Sequence, residues 1–189
     1  PLSEAVKVTL KVSHNLYAST LPLLVAAKYG KRTLPEGMRE ERRFLADLGV
    51  DVDLMSLESG AGGGDADRVT PRTTVQVLRG MAKRPEWAAY KAALPVLGVD
   101  GTLADVVGPD SPARGKVHAK TGTYGDADLL NGRLLLRAKS LAGVMTTANG
   151  RNLTVAIFVN DVPMPVGGDP VREGKVIGRL CEIIYQNCP

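Results

Sequence analysis

The order of apolar and polar positions divides the chain into a helical half and a strand-rich half. Ser3 to Val12 reads as a short helix with Ser3 as its N-cap and Val6 and Leu10 on one face. Leu16, Leu23, Leu24 and Ala27 continue at helical spacing; Pro22 is expected to bend this helix and Gly30 to stop it. Glu36 to Leu48 predicts a charged amphipathic helix ended by Gly49, and Val52 to Leu57 predicts a strand. Gly60 to Gly64 predicts a flexible loop. Thr70 is placed to cap a helix from Pro71 to about Lys83, with Pro at its favoured first position. Pro85 to Leu94 predicts a further helix, and Asp100-Gly101 a turn. Lys116 to Thr123 alternates like a strand. Lys139 to Thr147 and Leu153 to Asn160 predict two more, joined at Asn149-Gly150, a strong hairpin signal. Gly168 to Gln186 closes the chain as a helix.

Helices first, an antiparallel meander next and a final helix describe an α/β (α+β) sandwich whose sheet is flanked by helices. No internal repeat, low-complexity tract or splitting linker interrupts it. At 189 residues, 44% hydrophobic and 23% charged, the composition is that of an ordinary globular domain or part of one. Aromatics are only 4%, so the core is expected to be aliphatic.

The net charge of +4 is mildly basic. It carries no one-signed stripe: acids alternate with bases in Arg39-Glu-Glu-Arg-Arg43, which reads as a solvated helix face. Without a basic stripe or stacking aromatics, nucleic-acid binding is not expected. The longest apolar run, Leu21 to Ala27, is too short to span a bilayer. No signal-peptide pattern opens the chain, which begins at Pro1, and this says nothing of where the protein works.

Cys181 and Cys188 leave two readings open. A continuous helix would hold them about 10 Å apart, too far for a disulfide. A helix ending near Asn187 would let them close a small loop, as suits an oxidising compartment. With His14 and His118 as the only histidines, the sequence offers no zinc site.

Two short motifs carry chemistry. Ser13-His14-Asn15 precedes an apolar periodic run, so on its own it reads as a helix N-cap. Lys120-Thr121-Gly122 is a rarer triplet. Its plain reading is a strand end with an exposed Lys. Its chemical reading is more specific. Gly122 removes a side chain so that a substrate can lie against the strand. Thr121 and Lys120 offer a hydroxyl and a cation to a carboxylate. The backbone N–H of Thr123 can help hold an oxyanion. His118 shares a side of the strand with Lys120 and reads as a surface residue.

Ser-x-Asn and Lys-Thr-Gly are two of the three signatures of penicillin-recognising serine acyl-transferases. The third, a nucleophilic Ser followed three residues later by Lys, is missing. The seven serines are followed at that spacing by Val6, Leu16, Pro22, Ser59, Gly62, Arg114 and Gly143. Ser111 to Arg114 comes nearest, but an Arg stays charged and cannot act as a base. Neither a Gly-x-Ser-x-Gly elbow nor the Gly-Lys-Ser/Thr of a phosphate loop occurs.

The likeness extends beyond the triplets. Ser13 to Ala18, Arg68-Val-Thr-Pro71, Leu94 to Leu103, His118 to Thr123 and Leu141 to Thr147 together resemble the C-terminal part of a low-molecular-mass class C penicillin-binding protein, a D-alanyl-D-alanine carboxypeptidase/endopeptidase. Two segments depart from the pattern. Glu58 to Gly64 stands where members often carry a Gly-Ser-Gly-Leu-Ser-type segment, and Tyr124 to Lys139 is longer than expected, at the rim of the cleft.

The resemblance implies a β-lactamase/transpeptidase-like fold, with residues 1–189 as the C-terminal part of one such domain. It implies an acyl-enzyme mechanism on peptidoglycan peptides ending in D-Ala-D-Ala, the nucleophilic Ser and its Lys lying upstream of Pro1. Ser13 would pass a proton towards the leaving amine, and Asn15 would hold the acylated substrate's amide. Lys120 and Thr121 would bind the terminal carboxylate alongside Gly122, and Thr123 N–H would serve the oxyanion. No metal or organic cofactor is implied. β-Lactams would be covalent inhibitors, and the site of action the periplasm or outer cell envelope. Alternatives are a non-catalytic peptidoglycan- or partner-binding module of the same fold, and a serine β-lactamase. The family's sheet has further strands, so the chain is expected to occur with the missing N-terminal part of its protein or with a second copy.

Overall fold

A computed structural model describes residues 1–188. The chain forms two compact units, residues 1–93 and 94–189.

The first unit is helical: α1 (Leu2–Val12), α2 (Asn15–Lys28), α3 (Leu34–Asp47), α4 (Pro71–Met81) and α5 (Trp87–Ala93). Ser3 is not the cap of α1. Pro1 holds that position without a side-chain bond, and Ser3 lies inside the helix. α3 starts two residues earlier than its apolar pattern suggested. The cause is a capping box: Glu36 Oε2 accepts from the Thr33 N–H at 3.0 Å and the Thr33 hydroxyl at 2.7 Å. Those bonds hold the Glu36 carboxyl below its ordinary range. Thr70 caps α4 as expected, with Pro71 in the first turn.

The strand expected at Val52 to Leu57 does not form. Val52–Leu54 is a short 3-10 turn, and only Ser56 pairs, with Arg68 (2.8 and 2.7 Å). An apolar run without a neighbouring strand to complete a ladder does not make a strand. The glycine loop is no anion cradle, because a carboxylate of the chain already occupies two of its amides. Asp67 accepts from the N–H groups of Glu58, Gly63 and Gly64, each at 2.8 Å.

Pro22 lies inside α2 as expected, and glycines pack against that stretch of helix. A Cβ on Gly37 would stand 2.0 Å from the Pro22 carbonyl oxygen, and one on Gly60 2.2 Å from that of Ala18. Pro22 cannot donate to the Ala18 carbonyl. The exposed backbone there is covered by close approach of another chain segment.

The second unit is a three-stranded antiparallel sheet in the order β1 (Val117–Asp128), β2 (Arg133–Thr146), β3 (Asn152–Pro163), followed by α6 (Val171–Asn187). Val117, Ala119, Leu141 and Met145 alternate onto one face and pack with Ile177 and Cys181 of α6 and with Leu97, Leu103 and Ala113. Asn149-Gly150 makes the predicted β2–β3 turn, with Gly150 at φ 83°.

The long segment Tyr124 to Lys139 is a hairpin extension. β1 and β2 run on to an Asp128–Arg133 pairing, with a register shift at Tyr124/Gly125. The Asp128 carboxylate ties the turn through Asn131 and Arg133. Its Gly/Asp-rich side lacks the alternation that marks a strand; the ladder imposes one.

α6 runs unbroken to Asn187, and Cys188 N–H still bonds to the Ile184 carbonyl. The helix thus ends where pairing was allowed, but Cys188 stays bonded to its last turn and both cysteines are free thiols. Burial and the neighbouring Glu182 push the Cys181 thiol up to about 11. Among the described residues no helix is long and apolar enough to cross a membrane.

Candidate active site

The two motifs lie in different units. Ser13-His14-Asn15 is the junction of α1 and α2. Ser13 ends α1 in the left-handed conformation, at φ 57° and ψ 52°. A non-glycine residue pays about 1–2 kcal/mol for that backbone. The strained residue turns the chain sharply, so that α2 begins two residues later.

The cap of α2 is neither Ser13 nor Asn15. It is His14, whose Nδ1 accepts from Tyr17 N–H at 3.3 Å while its ring packs on Tyr17 at 4.1 Å. The plain reading of Ser-x-Asn as a cap is thus corrected: the middle residue does that work. Ser13 and Asn15 are exposed, with Asn15 the first residue of α2.

Lys120 to Thr123 lie on β1, an edge strand. The backbone shows which edge is open. Leu97 N–H donates to the Val117 carbonyl (3.0 Å) and Ala119 N–H to the Pro95 carbonyl (2.9 Å). These residues of β1 therefore turn their backbone groups away from β2. By the alternation of an antiparallel ladder, Thr121 and Thr123 do the same. Past Ala119, no strand among the described residues pairs with that edge.

Lys120 lies on the face opposite α6. Its Nζ donates to the Thr121 carbonyl at 2.6 Å. Burial lowers its pKa to about 8, because a partly desolvated ammonium loses hydration. It is not the exposed strand-end Lys of the plain reading. His118, expected at the surface, is partly buried with its Nδ1 enclosed.

The neighbours were not legible in the sequence. Thr121 Oγ1 is 2.7 Å from Thr102 Oγ1. Thr123 Oγ1 accepts from Lys139 Nζ at 2.9 Å. Ser140 stands opposite Gly122, and a Cβ on Gly122 would meet its Oγ at 2.7 Å. Register selects Lys139 and Ser140, whereas Thr102 is brought to Thr121 by the short 3-10 turn Gly101–Leu103. The strand thus presents an ammonium, a hydroxyl pair and outward N–H groups within a few residues, a set suited to an anionic group lying along an edge. Among the described residues no group of three or more His, Cys, Asp or Glu is placed to hold a metal.

Residues 1–175 match the D-Ala-D-Ala carboxypeptidase 3 (S13) family. The chain belongs to this family. It is 31% identical over 163 residues to D-alanyl-D-alanine carboxypeptidase DacB of Haemophilus influenzae, covering 85% of this chain and 32% of that protein. It is 35% identical over 138 residues to the D-alanyl-D-alanine carboxypeptidase of Actinomadura sp. (strain R39), covering 69% and 25%. This S13 chain therefore spans 32% or less of the length of these two relatives.

The crystal structure of penicillin binding protein 4 (dacB) from H. influenzae superposes with a TM-score of 0.78 at 26% identity, over 98% of this chain and 40% of that one. TLA-1 extended-spectrum β-lactamase, at 19% identity and a TM-score of 0.67, shares the fold over 97% of this chain and 63% of its own. The resemblance to low-molecular-mass class C penicillin-binding proteins holds, and the fold is β-lactamase/transpeptidase-like.

Proposed function

We propose that this chain is part of a serine-type D-Ala-D-Ala carboxypeptidase/endopeptidase, acting on peptidoglycan stem peptides in the periplasm or outer cell envelope. The observation that carries the reading is the β1 edge. A half-buried Lys120 ammonium stands beside outward backbone groups of Thr121 and Thr123. In this reading Lys120 and Thr121 bind the terminal carboxylate, Gly122 lets the peptide approach the strand, and Thr123 N–H stabilises the oxyanion. Ser13 passes a proton towards the leaving amine, and Asn15 holds the substrate amide.

The attacking Ser and its Lys base come from outside residues 1–189, where no Ser-x-x-Lys occurs. The Ser forms an ester with the D-Ala-D-Ala carbonyl and expels D-Ala; water then hydrolyses the ester. A β-lactam would occupy the same Ser as a stable ester. The remaining part of the protein, or a second copy, covers the sheet edge left open at β3.

The test is intact mass after incubation with excess penicillin, for the 189-residue chain and for the full-length protein in parallel. An adduct on the full-length protein alone is the expected result. An adduct on the 189-residue chain would overturn the assignment of the nucleophile. Failure of the full-length protein to form an adduct would favour a non-catalytic peptidoglycan-binding module, the reading that the missing Ser-x-x-Lys supports.

A further inference from the structure

Thr123 has a tether that the family signatures do not include. Lys139 lies directly across the ladder from it, and Nζ donates to Thr123 Oγ1 at 2.9 Å. This Lys, on β2 and partly buried, lies against the first turn of α6 at Gly174. Burial holds its pKa below the ordinary Lys value, and the charges of Asp169 and Glu173 act against that shift. One oxygen of Glu173 is buried without a hydrogen-bond partner. Gly174 lies alongside the side chain: a Cβ there would make ordinary contact with Lys139 Cε, at 3.4 Å.

The position of the tether matters. One residue beyond Thr123, β1 loses its register against β2 at Tyr124/Gly125. On its other side Thr123 faces the open edge. The ladder that holds Val117 to Thr123 is interrupted where an oxyanion donor would have to be held most firmly. A donor stabilises developing charge only when it is already aimed.

We propose that Lys139 is a positioning residue: by clamping the Thr123 hydroxyl against β2, it fixes the direction of the Thr123 N–H on the open edge of β1. The inference rests on the carboxypeptidase reading, in which that N–H meets the oxyanion. Lys139 touches no reacting atom. It acts through Thr123, while Asp169, just before α6, and Glu173, in its first turn, favour its charge.

The experiment uses the full-length protein and measures penicillin acylation rate, D-Ala release and thermal midpoint for Lys139→Met, Lys139→Arg, Thr123→Val and the Met/Val double variant. Loss of a whole oxyanion donor slows enzymes 10²–10³-fold, so a misaimed one is expected to slow acylation and kcat about tenfold. KM should stay within about twofold, because the clamp serves the transition state rather than substrate binding. Lys139→Arg should recover part of the rate. The double variant should be no slower than Thr123→Val, because both act through one contact.

Multiplying effects in the double variant, or a wild-type acylation rate in Lys139→Met, would overturn the proposal. If Lys139→Met does not fold, Thr123→Val carries the test, since it removes the contact without touching α6. A wild-type rate in Thr123→Val would be equally fatal. A wild-type protein that neither acylates nor releases D-Ala overturns the carboxypeptidase reading itself, and the inference with it.

Discussion

Residues 117–124 of the second unit pair one by one with residues 138–145, whereas Ser13 of the first unit holds a lone left-handed position between two helices. The cost of placing Lys120 is spread over a ladder and a closed core. Val117, Ala119, Leu141 and Met145 beneath it are at most 1% exposed. The cost of placing Ser13 falls on one residue. The helices around it leave Val12 61% and Leu16 68% exposed, so little apolar packing surrounds the turn. One signature is held by redundancy and the other by a cap and a strained turn. Small changes should therefore damage them differently.

The largest effect should come from Gly143→Ala. A Cβ there would stand 2.0 Å from the His118 carbonyl oxygen and 2.5 Å from Ala119 Cα. Both atoms are backbone, so β1 itself must move. Denaturant unfolding should show a loss of about 3 kcal/mol or more. Gly108→Ala, where nothing lies within 4 Å, is the control and should stay within about 0.5 kcal/mol of wild type. Equal stability in the two variants would mean that the ladder is not the rigid support described.

The next prediction concerns pH. Lys120 loses its proton near 8 in the folded chain, against 10.5 for an ordinary Lys. In the proposed reaction the cation binds a carboxylate, so kcat/KM for D-Ala release should fall above pH 8, by about tenfold per unit well beyond it. Stability should move the opposite way. Between about 8 and 10.5 the unfolded chain keeps a proton that the folded chain has released, so this group makes stability rise with pH. Lys120→Arg should move the activity limb upward. A limb above pH 10 in the wild-type protein would show Lys120 to be fully solvated.

The smallest effect sharpens the first unit. His14→Ala should cost about 1 kcal/mol, the usual value of an N-cap. Ser13→Ala should change stability by less than about 0.5 kcal/mol, yet slow D-Ala release. If unfolding shows Ser13→Ala to be the costlier change, then Ser13 and not His14 organises the start of α2.

Helices with local stop and start signals were legible. Thr70-Pro71 opens α4 where the sequence places it, and Asn149-Gly150 turns the β2–β3 hairpin. Both signals act within a few residues and need no distant partner. Two of the readings that failed needed one. Val52 to Leu57 has strand-like residues but no ladder to join. Tyr124 to Asp128 lacks a strand pattern yet is paired into one, because β2 lies alongside it. The cap of α2 was misplaced because either polar neighbour of His14 suits the position, and only the left-handed turn at Ser13 decides between them.

The sequence by itself determined the chemistry on offer: the Ser13-Asn15 pair, the Lys120–Thr123 run, the absence of Ser-x-x-Lys, and the alternation that turns Lys120 away from the apolar face of β1. Tertiary structure decided what those groups meet. It placed Thr102 against Thr121, set Lys139 under Thr123 and desolvated Lys120. Side-chain period is a property of neighbouring residues, whereas register and burial are set by segments distant in the chain.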